Sequence, residues 1–481
     1  MHIHPKRSQL YIPALLLLFI FFSSCQKNVA TEESNVSVSS PVALWLTTPD
    51  KSVLFEKQNT ELSFSGDTSN AYSVIKVNES QAYQNMDGFG YTLTGGSAML
   101  LHQMGPTERA ALLQELFGTE GNNIGVSYLR VSIGASDLDD RVFSYSDLPA
   151  GETDPEMEKF NLEPDRAHLI PVLKEVLAIN PNIKIMGSPW SPPTWMKTNN
   201  NSKGGSLKPE FHDAYARYFV KYIQAMAAEG INIDAITIQN EPLHPGNNPS
   251  LLMLPEQQAT FIKESLGPAF EVANIKTKII VYDHNADRPD YPITILNDPE
   301  AKKYIDGSAF HLYGGTIDAL SQVHDAHPDK NLYFTEQWIG APGNFAGDLA
   351  WHVKNLIIGA PRNWSKTVLE WNLAADPDQN PHTEGGCTEC LGAITIDGNN
   401  VARNPAYYII AHASKFVRPG SVRIDSNVPE ALPNVAYITP DGQKVMIVLN
   451  EGEAAQTFNI GYNDKQVTTS LPAGSVGTYV W

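Results

Sequence analysis

The stretch Ala235-Ile236-Thr237-Ile238-Gln239-Asn240-Glu241-Pro242 reads as a buried strand that stops at an Asn-Glu pair. Residues 235–239 suit a pleated backbone, and Pro242 withdraws a backbone donor and ends the ladder. A carboxylate is thereby set at the C-terminal lip of a strand. The run Asn331-Leu332-Tyr333-Phe334-Thr335-Glu336-Gln337-Trp338 repeats the pattern, an apolar strand ending at a Glu. The two glutamates are 95 residues apart, so only a particular fold makes them a pair.

Between residue 86 and about residue 404, strand-like runs alternate with helical ones. The strands fall at 88–93, 128–133, 183–187, 235–240, 278–282, 308–312, 332–335 and 367–370. Helical periodicity marks 106–117, 167–177, 211–229, 255–266 and a shorter 299–305. Eight strands with intervening helical or connecting stretches imply parallel βα units closing into a (β/α)8 TIM barrel, with long loops. The runner-up is an open doubly wound sheet. It needs a glycine-rich phosphate turn, and Gly88-Phe89-Gly90 lacks the third glycine.

Short β-type runs precede the barrel, at 42–46, 52–55 and 72–77, and six more follow it without helices between residues 422 and 481. Pro440-Asp441-Gly442 is a strong hairpin turn. The two groups are expected to meet in one antiparallel β-sandwich built from both chain ends. The expected organisation is strands for the sandwich at 41–85, the catalytic barrel at 86–404 and the rest of the sandwich at 405–481.

A net charge of −19 over 481 residues argues against nucleic acid and anionic headgroups as direct partners, and suits a neutral substrate. Lys6 and Arg7 precede an apolar run at 10–22, too short to span a bilayer but right for a signal-peptide core. Phe22-Ser23-Ser24-Cys25 resembles a bacterial lipoprotein box, with Cys25 lipidated after cleavage. Residues 1–25 are thus expected to be a leader, and 26–40 a polar tether. Localisation is expected at the outer membrane, held only by the lipid anchor. The remaining cysteines are Cys387 and Cys390. An exported context favours a disulfide between them. Free thiols stay open, as does a metal site, although with His382 they supply at most three of about four ligands.

In a (β/α)8 barrel the active site lies at the C-terminal strand ends. Glu241 ends the fourth strand and Glu336 the seventh, across the mouth from each other. Two carboxylates flanking a cleft are what glycosidic cleavage requires, one donating a proton to the leaving oxygen and one attacking the anomeric carbon. Other strand ends bring Trp190 and Trp195, His311 and Tyr313, Trp338, and Trp371. Indole faces pack on the C–H face of a sugar while polar neighbours bond its hydroxyls. Arg130, inside the second strand, is expected to anchor a carboxylate or to form an ion pair within the barrel. A non-catalytic glycan-binding lipoprotein would keep the tryptophans but need neither Glu. A purely structural lipoprotein would leave the strand-end residues without a purpose.

From about residue 80 to its end the chain resembles glycoside hydrolase family 30, which includes the glucosylceramidases. The matching motifs are Asp87-Gly88-Phe89-Gly90, Tyr128-Leu129-Arg130-Val131, the run from Ser188 to Asn199, Gln239-Asn240-Glu241-Pro242, His311-Leu312-Tyr313, Thr335-Glu336, Trp371-Asn372-Leu373-Ala374 and Ser414-Lys415-Phe416-Val417. The resemblance implies a retaining mechanism with Glu241 as acid/base and Glu336 as nucleophile. It implies that Asn240 bonds the sugar 2-hydroxyl, that Asp137 and Trp190 hold glycone hydroxyls, that Tyr313 sits by the nucleophile and that Trp371 floors the subsite. No metal or organic cofactor is expected. Gln337-Trp338, the short connection between the sixth and seventh strands, and the loop Thr383-Glu384-Gly385-Gly386-Cys387-Thr388-Glu389-Cys390 depart from the glucosylceramidase pattern. They are similar to the bacterial endo-β-1,6-glucanase branch, which implies a β-linked glucan as substrate. Glucosylceramide, β-glucosides and β-xylosides are the alternatives.

Overall fold

The computed structural model describes residues 41–67 and 69–481. The expected leader, tether and Cys25 lie outside the described residues.

Eight parallel strands close into a barrel. They are Gly88–Thr92, Tyr128–Ser132, Lys184–Ser188, Ala235–Thr237, Lys278–Ala286, Ile305–Gly315, Asn331–Glu336 and Ser365–Asn372, and each pairs in parallel with its neighbours. All eight lie where the sequence places them, but their ends shift: the sixth and eighth extend beyond the expected 308–312 and 367–370 at both ends, and the fourth and fifth end differently at the mouth. The fourth is shorter than 235–240, because the chain leaves the ladder after Thr237. The Asn240 amide turns to the Pro189 carbonyl, and Glu241 takes a left-handed φ of +46° outside the strand. The fifth runs four residues past Tyr282, through consecutive left-handed residues at Tyr282 (φ 74°) and Asp283 (φ 67°).

The barrel interior is layered. Tyr128, Met186, Ala235, Ile280, Ala309, Tyr333 and Leu369 form one apolar layer, a residue from each of the second to eighth strands. Two residues further along, side chains return to the same face. Those positions are Arg130, Ser188, Thr237, His311, Thr335 and Trp371. On the fifth strand the irregularity adds one residue, so Asp283 and not Tyr282 joins this polar layer. The layer lies directly beneath the catalytic mouth.

The helices Pro106–Phe117, Leu169–Ile179 and His212–Ala228 match their periodicity. The expected helix at 299–305 is only Pro299–Lys302, since Ile305 already belongs to the sixth strand. Helix Gly95–Gln103 escapes helical propensity because it opens on two glycines. Those glycines serve close approach: a Cβ on Gly95 would lie 1.6 Å from Asp139 Oδ1, and one on Gly96 2.4 Å from the Leu138 carbonyl. Helix Pro405–Ser414, in the segment assigned to the β domain, is buried along its whole length. It receives the Tyr91 hydroxyl of the barrel on its Ala406 carbonyl, and its His412 bonds Thr47 and Thr478 of the sandwich.

The chain ends do meet. Ten strands form one sheet that mixes N-terminal and C-terminal elements. Pro41–Thr47 pairs with Val476–Val480, and Ser73–Asn85 with Val422–Ser426, both antiparallel. One pair, Ser73–Asn85 with Gln456–Tyr462, is parallel. Strand Lys444–Leu449 explains how the two domains cohere. Met446 and Val448 enter the sandwich core, while Val445, Ile447 and Leu449 join the large core shared with the barrel. A strand apolar on both faces has to be covered on both.

Candidate active site

Glu241 and Glu336 converge. One carboxylate oxygen of each, together with a ring nitrogen of His311, lies within a 4.8 Å span. Oxygens within that span suit a retaining pair, whose carboxyl groups stand about 5–5.5 Å apart, better than an inverting pair, which keeps about 6.5–9.5 Å for a water. The left-handed φ of Glu241 is a strained conformation for a non-glycine residue, costing of order 1–3 kcal/mol. The Glu241 amide bond to the Asp283 carbonyl and that of Asn240 to Pro189 hold it there.

The nucleophile position is built from donors. Arg130 Nη1 donates to Glu336 Oε2 at 2.6 Å and the Tyr313 hydroxyl to Oε1 at 3.0 Å. Arg130 is fully buried, and its other nitrogens reach Asn240 Oδ1 (2.6 Å), Asp283 Oδ2 (2.8 Å) and Ser188 Oγ (3.1 Å). Its guanidinium also lies 4.8 Å from the Trp190 ring centre and 5.7 Å from that of Trp371. It is therefore an ion-pair anchor for Glu336, buried beneath the cleft and not among its lining residues. His311 is equally buried, with Nδ1 3.2 Å from Glu241 Oε1 and Nε2 3.1 Å from Asp283 Oδ1. It too orients the catalytic groups from beneath the cleft, whose lining does not include it. Both residues sit in the polar layer under the cleft, so His311, grouped by strand-end position with the cleft residues, supports them from below, and Arg130 fills the anchoring role expected of it.

Burial disfavours the charge on His311, but Glu336 and the bonds to Asp283 and Glu241 raise its pKa to about 9. As a cation it donates from both ring nitrogens, Nδ1 to Glu241 and Nε2 to Asp283. Burial also raises the Glu336 carboxyl, against the pull of His311 and Arg130. At Glu241 burial again opposes ionisation, yet His311 outweighs it and holds the carboxyl below its usual range. The two carboxylates and His311 thus titrate as one interacting group. At Asp283 burial opposes ionisation too, but Arg130, His311 and Thr335 hold the carboxyl far below the usual range.

The cleft above these groups has a volume of about 420 Å³, and Asp137, Trp190, Asn240, Tyr313, Trp338 and Trp371 line it, as their sequence positions imply. Trp190 and Trp371 pack on one another with ring centres 5.4 Å apart, and Trp338 is half-buried on the wall. Trp195 is not part of it. Its indole nitrogen donates to the Ser146 carbonyl and its ring packs edge-on against Phe211. The run from Ser188 to Asn199 is pinned by Lys197, whose buried amine bonds Ser191 and the carbonyls of Ser202 and Ser250. Cys387 and Cys390 form a disulfide, which also lines the cleft.

Residues absent from the sequence reading complete the site. Asp283 takes hydrogen bonds from Arg130, Ser188, Thr237, Thr335 and His311. His284 and Asn285 follow it on the fifth strand, and His244 and Asn247 come from the loop after Glu241. Burial keeps His284 neutral, with its pKa lowered to about 4, and its Nδ1 has no partner among the described residues. The signal was present: Asp283-His284-Asn285 follows an apolar run as Asn240-Glu241 does, but the expected strand stopped at Tyr282.

Residues 86–417 match the Glycosyl hydrolase family 30 TIM-barrel domain, and residues 420–479 the Glycosyl hydrolase family 30 beta sandwich domain. The chain is 34% identical over 418 residues to the Aspergillus fumigatus protein named endo-1,6-beta-D-glucanase neg1, covering 81% of this chain and 82% of that one. It is 30% identical over 438 residues to the lysosomal acid glucosylceramidase of Mus musculus, covering 85% and 83%. The solved structure of the endo-beta1,6-glucanase BT3312 superposes with a TM-score of 0.86 at 36% identity, over 92% of this chain and 99% of that one. The chain belongs to glycosyl hydrolase family 30 and is a glycoside hydrolase.

Proposed function

We propose that the protein is an endo-β-1,6-glucanase working by double displacement. The observation that carries the chemistry is the Glu241–Glu336 pair, with carboxylate oxygens within 4.8 Å at the ends of the fourth and seventh strands. The similarity to proteins named endo-1,6-beta-glucanases supports the linkage.

Glu336, held as a carboxylate by Arg130 and Tyr313, attacks the anomeric carbon. Glu241 gives its proton to the departing O6 of the next glucose. That proton is supplied across the 3.2 Å bond from His311, because a sugar that dries Glu241 favours its neutral form. Water then enters on the vacated side, Glu241 removes its proton, and the oxygen displaces Glu336 with net retention. Asn240, held by Arg130, bonds the 2-hydroxyl, and Asp137 the far glycone hydroxyls. Trp338 extends the apolar wall for a second sugar.

Digestion of a linear β-1,6-glucan tests this, with Glu336→Gln as control. Early release of mixed short oligosaccharides by the wild type alone is expected. Glucose as the sole product would mean exo action, and no product at all would refute the linkage. We place the enzyme, on its leader-like N-terminus and the Cys25 motif, at the outer membrane as a lipoprotein.

A further inference from the structure

The Cys387–Cys390 bond is the sequence motif that double displacement leaves unused, yet it stands in the wall of the cleft. It packs in a small apolar cluster with Leu138, Trp190, Trp338 and Trp371. The Cys387 amide donates to Asp137 Oδ2 at 3.3 Å, and no other residue among those described bonds that carboxylate. The same loop lies flat on the Asp137 backbone. The Thr383 amide donates to the Asp137 carbonyl at 2.9 Å, and a Cβ on Gly386 would come within 2.4 Å of that oxygen.

The other end of the loop is tied to the nucleophile side. Cys390 pairs with Gly340 in a two-stranded ladder just beyond Trp338, the Ala341 amide donates to the Glu389 carbonyl at 2.7 Å, and Asn372 reaches the Cys390 carbonyl at 3.4 Å. Between the two anchors the chain runs through Gly385 and Gly386, which gain much freedom if released. The covalent bond couples Cys387, over Asp137, to Cys390, on the anchored ladder. Burial and the Glu336 charge push Asp137 up to about 7, while the Cys387 amide draws it down.

We propose that the Cys387–Cys390 disulfide is a positioning device of the glycone site. It holds the Cys387 amide on one oxygen of Asp137 so that the other faces a sugar hydroxyl, and the enzyme works at full rate only with the bond closed. The proposal rests on the placing of Asp137 among the glycone ligands.

The test is hydrolysis of an aryl β-glucoside, which engages the glycone site without a second sugar. It is run on the oxidised wild type, on wild type reduced with a water-soluble phosphine (the disulfide becoming two thiols and the phosphine its oxide), and after reoxidation. Thiol titration confirms the opened bond. The variants are Cys387→Ser with Cys390→Ser, Asp137→Asn, and all three together. Opening the bond is expected to lower kcat/KM about tenfold, mostly through KM, to move the acid limb of the pH profile above 7, and to be reversed by reoxidation. Opening it in Asp137→Asn should cost nothing more. Unchanged kcat/KM and pH limb in the reduced enzyme, or losses that multiply in the triple variant, would overturn the proposal. If Asp137→Asn itself turns over the glucoside normally, the placing of Asp137 falls. Reduced wild type carries the test where the serine variant does not fold. Wild-type turnover of β-1,6-glucan, measured alongside, reports separately on the substrate.

Discussion

Asp283→Asn is the most informative single substitution. The side chain keeps its shape and loses one charge. Oδ2 accepts from Arg130, Ser188 and Thr237, and Oδ1 from His311 and Thr335. An amide NH2 in the Oδ2 position would face the Arg130 guanidinium, donor against donor. In the Oδ1 position it would face the His311 Nε2–H, but His311 can give up that proton and accept instead. The second arrangement relieves the conflict at the expense of the His311 charge. Arg130 and Asp283 are both fully buried, and breaking such a pair costs about 3–5 kcal/mol. Taking His311 from about 9 to its ordinary value corresponds to roughly 3 kcal/mol at 1.36 kcal/mol per pKa unit. The two figures agree in size, so the loss should appear as a neutral His311.

The sign follows. His311 cationic supplies the proton for Glu241, so activity is present below its pKa and lost as pH rises through it. In the wild type the alkaline limb of kcat/KM is expected near 9. In Asp283→Asn it should move down by about two and a half units, leaving measurable activity near pH 5.5 and a loss of the order of thirtyfold at pH 8. The assay is a pH–rate profile on linear β-1,6-glucan, with a thermal melt at each pH. An alkaline limb that stays in place, with kcat within threefold of wild type, would refute the role assigned to Asp283 and to the His311 proton.

Other outcomes follow from the same geometry. Glu336→Gln should abolish turnover while glycan affinity is retained, measurable by calorimetry with β-1,6-linked oligosaccharides. Glu241→Ala should keep activity on aryl glucosides with good leaving groups, and azide should restore rate and yield the β-glycosyl azide, the anomer of a retaining enzyme. Trp338→Ala removes one aromatic wall worth about 1–2 kcal/mol, so KM for the glucan should rise about tenfold with kcat nearly unchanged. Cys25→Ser should end incorporation of labelled palmitate and release the protein from membranes.

Much of the site was legible because chemistry and punctuation coincide in the chain. Glu241 and Glu336 each follow an apolar run and stop it, which marks a strand lip whatever the rest of the fold does. Of the strand-end tryptophans, Trp190, Trp338 and Trp371 line the cleft. Trp195 was not separable from them, because a loop tryptophan turns to whichever partner the packing offers, here Phe211 and the Ser146 carbonyl. Arg130 anchors a carboxylate, one of the two roles its sequence position implies, while His311, grouped with the strand-end residues of the cleft, lies in the layer beneath it. Whether an inward side chain touches substrate or supports what does depends on its depth in the barrel.

Alternation of apolar and helical runs was by itself enough to determine eight βα units, the strand-end carboxylates and a β domain assembled from both ends, since period and punctuation are local properties of the chain. Tertiary structure alone decided the 4.8 Å meeting of Glu241, His311 and Glu336. It also decided the entry of Asp283 into the polar layer and the contact of the disulfide loop with Asp137. These depend on barrel closure and on one irregular turn of the fifth strand. Such a turn shifts which residue points inward by a single position, and no periodicity in the sequence announces it.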